Sequence, residues 1–140
     1  MLGEFRSPSS TLRAAGIAAL LLTSCNEQQR QTYSRLKTTY QAFARQYPDE
    51  SPSVELRTDR YLFIHFFNSK LNDGSEAARL ARVREAVALA IRTLDTGSVE
   101  GTVTFLRRRD FLVANITTPV AAYPFTADAS GKIDVQPRVQ

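Results

Sequence analysis

The sequence has no tryptophan, one cysteine, one histidine and one methionine among its 140 residues. A single cysteine rules out an internal disulfide, so the stability of the chain must come from packing whatever the redox state of its compartment. It also rules out a cysteine metal cluster, and His65 alone cannot supply a histidine set; no metal and no cofactor is expected. There is no G-x-S-x-G elbow, no glycine-rich phosphate loop, no H-E-x-x-H helix and no calcium loop. Acidic residues do not gather into a pair placed for hydrolysis; Asp49 and Glu50 sit together in a proline-bounded loop, a usual place for solvated acids. These gaps count against most enzyme classes. Long apolar runs are scarce too. The longest, Ala14 to Leu22, is far shorter than the ~20 residues that a permanent membrane helix needs.

That short run is nevertheless the most informative stretch of the chain. Arg6 and Arg13 precede it, small residues follow it, and Asn26 to Arg30 end it in polar side chains. A positive segment, a short apolar core and a small-residue exit make a secretory signal. Leu22-Thr23-Ser24-Cys25 resembles the lipobox of bacterial lipoproteins: an aliphatic residue, two small residues and a cysteine. The resemblance covers the first quarter of the chain. It implies that Cys25 is acylated on sulfur, that a dedicated signal peptidase cuts before it, and that its new amino group is often acylated as well, palmitate being the usual chain. It further implies an exported protein held at the cell envelope. Asn26 after the cysteine, rather than Asp, resembles the pattern sorted to the outer membrane, on the periplasmic side, where two membranes exist. The physics agrees with the two-chain chemistry, because each buried methylene contributes about 0.8 kcal/mol and one acyl chain anchors only reversibly.

The expected organisation is a signal peptide at 1–24, a tether at 25–31, one α+β domain at 32–136 and a tail at 137–140. The mature part holds about 116 residues, enough for one compact domain. Its net charge falls from the +4 of the whole chain to about +3, a mild excess that does not imply nucleic acid.

Periodicity supplies the elements. Tyr33, Leu36, Tyr40, Phe43 and Tyr47 recur at spacings of three and four, which predicts a helix stopped by Pro48. Tyr61 to Phe67 predicts a central strand, with Leu62, Ile64 and Phe66 on one face and Tyr61, Phe63, His65 and Phe67 on the other. Asp73-Gly74-Ser75-Glu76 fits a capping box, followed by a helix to about Leu94 that Asp95-Thr96-Gly97 stops, with Gly97 free to take the left-handed turn. Gly101 to Leu106 and Phe111 to Thr117 read as strands joined by a charged turn, Arg107-Arg108-Arg109-Asp110, with Pro119 as a stop. Ala121 to Thr126 reads as an edge strand because of Pro124, and Ile133 to Val135 as a last short one. This order predicts a two-layer α+β sandwich: a small mixed or antiparallel sheet of three to five strands, covered by two helices and preceded by the signal helix. Phe67-Asn68-Ser69, the alanine-rich helix and Val103-Thr104-Phe105 together resemble small bacterial lipoproteins of no assigned function.

Two surfaces are candidates for binding. Arg107, Arg108 and Arg109 could meet an anion or an acidic partner, although strand alternation prevents all three from pointing one way. The face with Tyr61, Phe63, His65 and Phe67 is the expected interaction face if the N-terminal helix does not cover it. The functional expectation is a non-catalytic envelope lipoprotein that binds a partner protein, with the membrane reached through Cys25. The alternative is a small envelope enzyme whose dispersed site centres on His65, which would need a carboxylate within reach.

Overall fold

In a computed structural model of the chain, the described residues are 11–58 and 60–137, with side chains described from residue 27 onward. The charged start of the segment expected to be a signal, with Glu4 and Arg6, lies outside these residues, as does the side chain of Cys25. The chain divides into two units, Met1–Ser34 and Arg35–Gln140.

In the first unit the described backbone is helical from Thr11 and belongs to α1, Thr11–Gln46. Residues 25–31, expected as a tether, lie within this helix. Tyr33 is 71% exposed. No helix among the described residues is long and apolar enough to cross a membrane.

The second unit contains the rest of α1, then β1 (Pro52–Arg57), β2 (Tyr61–Phe67), a single 3-10 turn (Lys70–Asp73), α2 (Glu76–Leu94), β3 (Val99–Asp110), β4 (Asn115–Ala127) and β5 (Ile133–Val135). The five strands form one sheet in sequence order, so each strand pairs only with its neighbours in the chain. β2 and β3 are parallel because α2 connects them; the other pairs are antiparallel. This is the expected α+β class, with a mixed five-stranded sheet and two helices.

Alternation along the strands decides which face is covered. Leu62, Ile64 and Phe66 of β2 are fully buried, with Val103 and Phe105 of β3 and Tyr123 and Phe125 of β4 beside them. Val83, Ala86, Val87, Ala90 and Leu94 of α2 and Phe43 of α1 complete this core. Phe43, Tyr47, Phe66, Phe105 and Tyr123 form a continuous chain of ring contacts, with neighbouring centroids 5.2–6.5 Å apart.

The structure corrects several local expectations. On α1, Thr39 is buried and Tyr40 is 52% exposed. The Thr39 hydroxyl donates to Arg35 O and accepts from the Thr93 hydroxyl of α2, so a polar residue occupies the helix–helix contact with its hydrogen bonds made. The N-cap of α2 is Ser75, whose Oγ accepts from Ala78 N; Asp73 belongs instead to the 3-10 turn. That helix ends at Leu94 as expected, but the left-handed residue after it is Asp95, at φ 51°, and not Gly97. The arginine triplet is strand and not turn: β3 continues to Asp110, and the turn is Phe111 to Ala114.

Pro119 does not end β4, because the ladder slips there. Phe105 pairs with Ala121 and Leu106 with Pro119, so Val120 is the extra residue of a bulge. Pro124 is tolerated for a related reason. Its carbonyl accepts from Gln136 N, just past the end of β5, so the side of β4 on which it lacks a donor is where pairing stops.

Candidate functional site

The face of the sheet opposite the helices carries the residues singled out in the sequence. Tyr61, Phe63, His65 and Phe67 line up along β2, each partly exposed and none part of the core cluster. Neighbouring ring centroids lie 4.8 Å, 6.2 Å and 6.3 Å apart, which makes the column continuous. Strand register surrounds it with short side chains. Ser53, His65, Thr104 and Ala122 form one row, and Glu55, Phe63, Thr102 and Pro124 the next. Tyr61 and Thr102 bring their hydroxyl oxygens to 3.4 Å. At the β1 edge Arg57 pairs with Glu55 at 2.8 Å and lies 5.1 Å from the Phe63 ring centre. The column is thus a shallow apolar ridge, small and polar on its β3 side and charged on its β1 side.

His65 stacks on Phe63 with 14° between the planes, and its Nδ1 is buried without a hydrogen-bond partner. Ser53 and Thr104 are its cross-strand neighbours, and neither hydroxyl bonds to it. Among the described residues no three His, Cys, Asp or Glu side chains come together. Burial holds the imidazole below its ordinary pKa; Glu55 pulls the other way and Arg57 adds to the lowering.

That shift has a stability consequence with a definite sign. In the unfolded chain His65 takes up a proton near its ordinary 6.5, whereas the folded domain resists protonation until a lower pH. The unfolded state therefore binds more protons between the two values, and stability falls as pH falls through that window. Thermal melts from about pH 7.5 down to about pH 5 should show this decline, and a His65→Phe variant should be flatter there. Glu55, held low by its hydrogen bond to Arg57, contributes a loss only below the ordinary carboxylate range.

The arginine triplet splits as alternation requires. Arg107 donates to Asp73 of the 3-10 turn, and Arg108 pairs with Asp110 at 3.0 Å. Arg109 is exposed and has no ion-pair partner among the described residues. Between Arg107, Arg109, Phe111, Ile116 and Thr118 lies an open cleft of about 350 Å³.

Sequence reasoning missed two buried polar clusters. Glu50 is 7% exposed, accepts from Ser69 Oγ at 2.6 Å and from Arg82 Nη1, and so fastens the loop after α1 to both the 3-10 turn and α2. Arg82 also lies 4.6 Å from the Tyr47 ring centre. The Tyr47 hydroxyl is buried without a partner, and burial pushes its pKa well above the ordinary phenol value. Arg79 donates from Nε to the Tyr123 hydroxyl at 3.0 Å, and from Nη1 to Gly74 O at 2.7 Å and Leu71 O at 3.1 Å. No local signal could have found these contacts, since the partners lie up to 44 residues apart in the chain.

Fold and site together define a two-layer α+β domain with one helix-covered sheet face and one aromatic face free of helices in its own unit. No family model, no curated protein and no solved structure matches the chain.

Proposed function

We propose that this chain is a lipid-anchored protein of the bacterial cell envelope, attached through acylated Cys25. Its α+β domain is a non-catalytic module that binds a partner protein through the open face of its sheet. The observation that carries the binding role is the column Tyr61, Phe63, His65 and Phe67, a continuous ridge of rings left outside the core. The anchor rests on Leu22-Thr23-Ser24-Cys25 behind a short apolar run, and outer-membrane placement on Asn26. A binding face is favoured over an active site because His65 lies between two phenylalanines and makes no hydrogen bond through Nδ1 to a carboxylate or hydroxyl.

Labelled palmitate fed to producing cells should enter the native chain and not Cys25→Ala, and the variant should leave the membrane fraction. Equal labelling of both forms would contradict acylation at Cys25. Phe63→Asp, which charges the ridge without touching the helix-covered core, should abolish partner binding while leaving membrane attachment intact.

A further inference from the structure

The hairpin of β3 and β4 ends in an unusual tip. Phe111 N donates to Ala114 O at 2.8 Å, which leaves Leu112 and Val113 as the two central residues of the turn. Turns of this length favour glycine, asparagine and aspartate, whose backbones accept positive φ and whose side chains tolerate water. Here both central residues are apolar and neither has a positive φ. Leu112 is fully exposed, Val113 is 97% exposed, and Phe111 and Ile116 are each more than half exposed. Neither turn geometry nor packing explains four apolar side chains held in water at one end of the domain.

Immediately behind the tip stand Arg107, Arg108 and Arg109; Arg107 pairs with Asp73 and Arg108 with Asp110, which leaves Arg109 as the one of the three without an ion-pair partner among the described residues. The alternation that parts the arginines also spreads their charge over both faces of the ribbon, so they form a collar around it. We propose that this hairpin is a membrane-docking element: Phe111, Leu112, Val113 and Ile116 enter the interface of a phospholipid surface while the arginine collar meets its anionic headgroups. An apolar point with a basic collar fits a lipid interface, where acyl chains lie a few ångströms beneath phosphate. A protein groove of neutral lining would leave Arg109 without a counter-charge. The hairpin needs no acyl group to act, so it stands apart from the acylation of Cys25. With both in place, the domain would be held at two points and its orientation on the membrane fixed.

The absence of tryptophan makes a direct test possible. Full-length chain carrying Cys25→Ala and Leu112→Trp has one indole, at the tip. Mixed with vesicles of phosphatidylglycerol and phosphatidylcholine, it should shift its emission to the blue and be quenched by brominated acyl chains. A second chain with Cys25→Ala and Ala129→Trp, on an exposed turn between β4 and β5, should show neither effect. Replacing Arg108 and Arg109 with glutamine in the tip reporter should raise the lipid concentration needed by roughly tenfold, and added salt should act likewise. An indole at 112 that stays water-exposed while the chain sediments with vesicles would overturn the proposal and leave the tip to a protein partner. Equal shifts at 112 and 129 would overturn it as well. Equal insertion into pure phosphatidylcholine would remove the arginine collar from it.

Discussion

Gly101→Ala is expected to unfold the domain. Gly101 pairs with Leu62 in the parallel β2–β3 ladder at the centre of the sheet. A Cβ there would lie 1.8 Å from the Leu62 carbonyl oxygen and 2.8 Å from its carbonyl carbon. These are backbone atoms of a central strand, so no side chain can swing aside. The two strands would have to part where Leu62, Ile64 and Val103 are fully buried. A loss of about 4 kcal/mol or more is expected, most of the stability of a small domain. Circular dichroism melts should show either no cooperative transition or one far below that of the native chain. Gly97→Ala is the control: nothing lies within 4 Å of the added carbon, and a change within about 0.5 kcal/mol is expected. A Gly101→Ala domain that melts like the native one would disprove the β2–β3 packing described above.

Arg79→Met has the second large effect. The substitution keeps the aliphatic stem but removes the guanidinium that satisfies Leu71 O, Gly74 O and the Tyr123 hydroxyl. Arg79 is 8% exposed and Tyr123 fully buried, so water cannot readily replace the lost donors. Breaking a buried, hydrogen-bonded charge in this way costs about 3–5 kcal/mol. The 3-10 turn also loses its tie to α2, and Arg107 with it loses a fixed position for Asp73. Denaturant titration should show the midpoint drop with little change in slope. Arg79→Lys should recover only part of the loss, since an ammonium cannot reproduce the fork that reaches a hydroxyl and two carbonyls. A Met variant within about 1 kcal/mol of native would mean that Arg79 is not held as described.

Much of the architecture was legible because burial leaves a period. The alternation in Tyr61 to Phe67 placed β2 and assigned its two faces correctly, and the crossover helix implied the parallel pair. Prolines and charges misled where the tertiary structure accommodates them. Pro119 read as a stop, but the bulge at Val120 lets β4 pass it. Arg107 to Asp110 read as a turn because charge implies solvent; these residues are solvent-facing strand in a hairpin that outruns the core. Asp73 and Ser75 are both good caps, and the choice between them depends on the 3-10 turn, which is set by Ser69 Oγ accepting from Leu71 N and by Arg79. Tyr40 fits the helical stripe as well as Thr39 does, and only Thr93 on another helix decides between them. Of the candidate site, the aromatic face was readable from alternation alone. The apolar tip was not, because Phe111 to Val113 has the composition of a strand, and only the hairpin's geometry leaves it unpaired.

The envelope placement depends on acylation of Cys25, and intact mass spectrometry of the chain purified from the membrane fraction of its native cells tests that most directly. The predicted result is a mature protein that begins at Cys25 and carries a diacylglyceryl group, with or without a further acyl chain on its amino terminus. A chain that begins at Met1 with an unmodified cysteine would contradict the lipid anchor and, with it, the placement of this domain in the envelope.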